Sequence, residues 1–294
     1  MKNFILYSTT SFIWGSTWLA IKFQLGVVDP LISVVYRFIL ASILLLGFCK
    51  LNGLNLKYNV RQHLFIALQG FFLFGINYWL VYIAEVHLTS GLVAVIFSLI
   101  IFMNIFNGAI FLGLSIRLRV FVGATIGIIG IGLVFKQELF SFSLSSDNSM
   151  ALVIAIVSAF SASLGNITSA HNQKANLPVI QTNAIGMMYG ALFMLIVSLI
   201  IGKPFDFEIS FSYISSLLYL SVFGSIIAFS CYLTLLGKIG ADKAAYISLI
   251  FPIIALILST IFEGYNWTIY AFIGVMFVLV GNVLVLKKSK SAAP

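Results

Sequence analysis

Charge is what this chain has least of: Asp, Glu, Lys and Arg make up 8% of its 294 residues, against 61% that are hydrophobic. A soluble globule of this length needs more polar surface than that composition supplies, so a water-soluble fold is excluded. Cysteine occurs twice, at Cys49 and Cys231, within separate apolar runs. That spacing builds neither a disulfide framework nor a zinc site, and both residues read as apolar filler. No glycine-rich loop ending in lysine occurs, which removes ATP as a direct energy source. No serine sits in a G-x-S-x-G setting, and His63, His87 and His171 stand at the ends of different segments. No predicted span holds two carboxylates, so the cluster that an embedded enzyme needs is missing. The chain is expected to be no enzyme and to hold no cofactor or metal.

What is present is apolar length. Mean hydropathy is +1.13, and about 20 apolar residues are needed to cross a bilayer as a helix. Ten such runs fall at roughly 4–22, 30–49, 63–84, 88–112, 118–135, 150–170, 178–202, 211–236, 241–262 and 267–286. The loops are too short for a separate soluble domain, so the net charge of +8 reports topology and no nucleic-acid partner. With the N-terminus in the cytoplasm, Lys50, Lys57, Arg61, Arg117, Arg119, Lys174, Lys238, Lys243 and Lys287 all fall inside, and only Lys22, Lys136 and Lys203 fall outside. This obeys the positive-inside rule. Run 4–22 shows no small-residue cleavage pattern and reads as a retained span.

The pattern repeats. Phe74-Gly75 returns as Phe223-Gly224, Gly91 as Gly240 and Phe102 as Phe251, each 149 residues on (223 − 74 = 149). Five spans per copy is an odd number, so the second copy enters the membrane from the opposite side. The expected fold is an all-α integral membrane protein of ten transmembrane helices in two inverted five-helix repeats, residues 1–136 and 150–290, joined by a serine-rich linker at 137–149. Inverted repeats place a site near the bilayer midplane and support alternating access.

Polar and aromatic residues mark where that site could lie. Ser11, Trp14, Trp18 and Lys22 follow at steps of three, four and four, hence on one helical face. The tryptophans read as a binding wall or as packing; Lys22 reads as an interfacial cation that snorkels. Arg37 lies seven residues after Pro30, about 10 Å along a helix, where a charge costs about 2.5–3.5 kcal/mol. It reads first as a structural clamp, with a carboxylate anchor as its alternative. Tyr78, Tyr82 and Glu85 share a face with Asn77 beside it, a stripe suited to an amphipathic solute. Glu85 reads as an interfacial charge. Asn104 and Asn107 share the face of Phe97 and Ile100 and serve either as interhelical glue or in a site. Pro252 predicts a kink near the middle of its helix. The glycines of spans five and ten read as packing.

The Trp14-Gly15-Ser16-Thr17-Trp18 opening, Tyr36-Arg37-Phe38 in span two, and Pro252 and Glu263 in span nine resemble the EamA-type transporters of the drug/metabolite transporter superfamily, in order and spacing across both halves. The resemblance implies that helices one, three, four, six, eight and nine surround a central cavity, with five and ten peripheral. On that basis the substrate-binding candidates are Trp14, Trp18, Asn77, Tyr78, Tyr82, Asn104, Asn166, Tyr232 and Tyr246. Arg37, Glu85 and Glu263 are the structural or gating charges and Pro252 the hinge. Two departures stand out: Leu112-Gly113-Leu114 replaces the family's Leu-Gly-Glu in the first half, and Met103 stands opposite Pro252.

The function implied is that of a secondary transporter, an exporter of small organic solutes such as amino acids or related metabolites. It would sit in the inner (plasma) membrane with both termini cytoplasmic, as monomer or dimer, with a proton or another ion left open as the coupling partner. A lipid flippase on the same fold is a rival. A pore is another, opposed by the apolar Ile100, Ile101 and Ile253, and a membrane-embedded lipid enzyme is weakened by the missing catalytic cluster.

Overall fold

The computed structural model describes residues 2–113, 116, 118–136, 146–239, 244 and 247–286, and these residues form helices and connecting turns with no strand. In chain order the elements are α1 (Lys2–Lys22), α2 (Pro30–Leu51), α3 (Val60–Gln69), a π-helical segment π1 (Gly70–Ile76), α4 (Asn77–His87), α5 (Ser90–Phe97), α6 (Ile100–Leu112) and α7 (Leu118–Val134). The second half continues with α8 (Asp147–Lys174), α9 (Val179–Ile201), α10 (Phe211–Tyr219), π2 (Leu220–Ile227), α11 (Ala228–Ile239), α12 (Ile247–Phe262) and α13 (Ile269–Leu286).

Local signals start these helices. The Asp29 side chain accepts from Leu31 N with Pro30 in the first turn, and Asn59 and Gln62 form a reciprocal capping box at α3. Six stretches are long and apolar enough to cross a membrane: 30–51, 60–87, 90–112, 147–174, 179–201 and 211–238. The other four expected runs are also helical, as α1, α7, α12 and α13. At 17 and 16 residues, α7 and α12 span about 24–26 Å, short of the roughly 30 Å hydrocarbon core.

Three stretches add local detail to the expected pattern. The run 88–112 divides into α5 and α6 at Ser98 and Leu99, whose backbone stays in the right-handed helical region and where the Ser98 hydroxyl donates to Val95 O at 2.6 Å. Pro252 lies inside α12, where it lacks the N–H that would bond Ser248 O. The linker 137–149 lies largely outside the described residues, and α8 already begins at Asp147.

Close backbone approach organises the bundle. A Cβ on Gly274 would lie 2.5 Å from Gly130 O, so α7 and α13 touch backbone to backbone. Ile128, Met276 and Phe277 on these two helices are exposed and apolar, as a lipid-facing side requires. Likewise π1 packs on α9, where a Cβ on Gly70 would meet Gly186 O at 2.2 Å. Its counterpart π2 packs on α2. Between these pairs α1 packs against α5, α11 and α12, and α4 against α8, leaving a cavity at their junction.

Candidate functional site

The cavity is built from helices that each contribute one or two turns. On α1 the steps of three and four turn Trp14, Thr17, Trp18 and Ile21 toward it. The Trp14 ring stands 5.0 Å from Phe229 and 4.8 Å from Tyr232 of α11; the Trp18 ring stands 5.1 Å from Phe97 and 5.8 Å from Phe251. Such offset and edge contacts fix the rings as walls. The transition from π1 to α4 sets Asn77 and Tyr78 on the opposite side, and α8 adds Asn166. No charged residue is among the lining.

Polar atoms in this wall are few, and three of them are unpaired among the described residues. The Asn77 amide nitrogen donates to Leu73 O at 3.2 Å; among the described residues its Oδ1, Asn166 Oδ1 and Trp18 Nε1 have no hydrogen-bond partner. Two acceptors and a donor thus stand between aromatic walls, ready for a ligand that satisfies them. The cavity is partly open and leaves about 40 Å³ for water. Since one water needs roughly 10–15 Å³ on that measure, the side chains are drawn in and must part to admit a solute.

Arg37 lies immediately behind Tyr78. It is fully buried; Nε donates to Ser225 Oγ at 3.0 Å, and the Ser221 hydroxyl donates to Arg37 O at 3.1 Å. These bonds tie α2 to π2. The guanidinium carbon sits 4.3 Å from the Tyr78 ring centroid and 5.2 Å from that of Phe38.

At the Lys22 end a polar layer closes the cavity. Lys22 Nζ donates to Glu85 O and lies 3.7 Å from Glu263 Oε1. Glu263 in turn accepts from the Ser90 N–H, at 3.1 Å to each oxygen, and from the Ser90 hydroxyl, which caps α5. The Tyr82 hydroxyl donates to Gln24 Oε1 at 2.5 Å. Ile21 lines the cavity whereas Lys22 and Glu85 line an open recess at the surface, so the layer is about one helical turn deep. Lys22 does not snorkel: it bridges α1 to α4 and to the end of α12. Nor is Glu85 an exposed interfacial charge; it is fully buried, and neither carboxylate oxygen has a hydrogen-bond partner.

Of the residues singled out from sequence, Trp14, Trp18, Asn77, Tyr78, Asn166 and Tyr232 line this one cavity. Tyr82 falls below it, in the closing layer. Asn104 stands behind Asn166, its Oδ1 accepting from Asn166 Nδ2 at 3.4 Å. Tyr246 lies outside the described residues. Phe97 and Phe251 stood out in sequence only by helical face and by repeat, not as wall residues; Phe229, one phenylalanine among 28, carries no distinguishing pattern, and Gln24 lies beyond the end of the first apolar run. Among the described residues no three His, Cys, Asp or Glu side chains gather to hold a metal ion.

Comparison with known proteins now adds to this geometry. A crystal structure of another protein superposes with a TM-score of 0.71 over 95% of this chain and 94% of its own, at 14% identity, which shows the fold alone. Protein PagO of Salmonella typhimurium is 26% identical over 282 residues, 96% of this chain and 92% of its own. The inner membrane transporter YedA of Escherichia coli K12 is 30% identical over 250 residues, 84% of this chain and 78% of its own. The sequence profile of the EamA-like transporter family matches residues 1–136 and 149–287. This chain, a multi-pass membrane protein, therefore belongs to the EamA-like transporter family.

Proposed function

We propose that the protein is a secondary transporter that exports small organic solutes, amino acids or related metabolites, by alternating access about two inverted five-helix halves. The observation that carries this reading is the aromatic cavity with unpartnered Asn77, Asn166 and Trp18 polar atoms. Its walls come from both halves of the chain: α1, α4 and α5 from the first, α8, α11 and α12 from the second. A solute with a polar head and an apolar body suits such a wall better than a bare inorganic ion, whose hydration shell it could not replace. The layer around Lys22, Glu85 and Glu263 acts as the gate at one end. The lysine and arginine distribution favours cytoplasmic termini, and the relation to YedA, named an inner membrane transporter, favours the inner membrane.

The test is uptake and counterflow of a panel of amino acids and related solutes in liposomes holding the purified protein. Movement of at least one such solute, saturable and competed by its analogues, is the expected result; ion conductance without solute movement would sink the reading. In the same assay Trp14→Ala is expected to weaken apparent solute affinity by about tenfold or more, since a lost aromatic wall is worth roughly 1.4 kcal/mol or above. Recovery of folded protein from the membrane checks that the variant is intact.

A further inference from the structure

Resting on that transport reading, we propose that the solute carries a carboxylate and that Arg37 receives it once the Tyr78 ring swings aside. Three observations lead there. The first is a buried charge with no carboxylate in direct contact, Glu85 acting on it only at longer range. Arg37 is fully buried, and no carboxylate lies within ion-pair distance of it among the described residues. Its Nε is held by Ser225, yet among the described residues neither Nη1 nor Nη2 makes a directed hydrogen bond, although the Tyr78 and Tyr82 phenols are nearby. Aromatic faces soften the cost of such a charge without replacing hydrogen bonds to it.

The second observation is position. Tyr78 has one face toward the cavity and the guanidinium 4.3 Å from its ring centroid, so one aromatic ring separates the cation from the solute space. Nη2 also lies beside Gly224, at 3.3 Å from where a Cβ would be, and the Gly224 carbonyl accepts from Trp14 Nε1 at 3.4 Å. Arg37 thus sits one layer behind two wall residues.

The third comes from the repeat. At the chain's 149-residue offset Arg37 corresponds to Gly186 (37 + 149 = 186) and Gly224 to Gly75 (75 + 149 = 224). The Gly186 copy packs its helix against π1 with no side chain at all, as close as Gly70 allows. Packing a helix on a π segment in this architecture therefore does not call for a guanidinium. The Ser225 bond accounts for one of its three nitrogens; the two Nη atoms form a planar fork that fits the two oxygens of a carboxylate. A single cation balances a monoanion, whereas a phosphate dianion would leave excess charge in a cavity lined by no other cation.

The experiment uses probe pairs that differ only at the acid group: leucine against leucinamide, and phenylalanine against phenylalaninamide. Binding to purified full-length protein is read by thermal shift, and transport by liposome counterflow. Wild type is expected to prefer the acid of a pair by about tenfold or more. Arg37→Gln is expected to bring that ratio near one and Arg37→Lys to restore part of it. Ser225→Ala, which loosens only the structural bond, is expected to lower the unfolding temperature with the ratio kept. Equal responses to acid and amide in wild type, or an undiminished ratio in Arg37→Gln, would overturn the carboxylate anchor while leaving the transport reading standing. A phosphate ester that outcompetes every carboxylate would overturn the anchor too, and no response to any solute would remove both. Should Arg37→Gln fail to fold, the wild-type ratio and Arg37→Lys decide.

Discussion

Lys22→Met is expected to destabilise the protein by about 1–3 kcal/mol, the range for leaving a part-buried hydrogen-bonding group without its partner. The ammonium is the cation nearest two carboxylates that cannot reach bulk water freely: Glu263 is 11% exposed as a side chain and Glu85 is fully buried. Methionine keeps the length and apolar stem of the lysine, so the loss isolates charge from packing. Unfolding of detergent-purified protein, followed by thermal shift, measures it. The double variant Lys22→Met with Glu263→Gln is expected to recover part of the loss, because the second change neutralises the group that the first leaves unpaired. Strict additivity would show that the two residues do not act as a pair. Uptake by the single variant carries separate information: a weakened gate leaks, so solute flux becomes less dependent on a solute on the far side.

A comparable effect is expected from Gly70→Val. The new side chain would enter a contact in which its first carbon already lies 2.2 Å from the Gly186 carbonyl oxygen and 3.1 Å from Gly190 N, both backbone atoms that cannot rotate away. Overpacking costs about 1–3 kcal/mol where side chains can yield, and here π1 and α9 must separate as units. The expected outcome is loss of the monodisperse species in size-exclusion chromatography of membrane extracts. Gly47→Ala is the control. It lies inside α2 with nothing within 4 Å of its Cβ position, so it relieves the cost of glycine in a helix, about 1 kcal/mol, and is expected to raise the unfolding temperature. A Gly47→Ala loss as large as that of Gly70→Val would mean that glycine content, and not the α9 contact, is what matters.

What was legible in the sequence divides by the range of the interaction. Helices with continuous apolar runs, such as α2 and α9, are where hydropathy puts them, because crossing a bilayer is a property of one segment. The face carrying Trp14 and Trp18 was legible for the same reason. Lys22 and Glu85 were not: nothing within a few residues of Lys22 says that it meets Glu263, 241 positions away (263 − 22 = 241). Asn104 reaches the cavity only through its hydrogen bond with Asn166, a partner 62 residues on (166 − 104 = 62) that no local pattern announces. Phe229 and Phe251 look like lipid-facing phenylalanines until the helices around Trp14 and Trp18 are assembled.

The π segments also decide how the chain can change length. A π turn closes from residue i to i+5 and so holds one residue more than an α turn over the same rise. Losing one codon within 70–76 would let π1 relax to an ordinary α turn while Asn77 and Tyr78 keep their facing. One codon lost between Trp14 and Trp18 would instead turn the rest of α1 by about 100°, swinging one tryptophan out of the wall. Length polymorphism among relatives is therefore expected to collect at 70–76 and 220–227 and to spare α1.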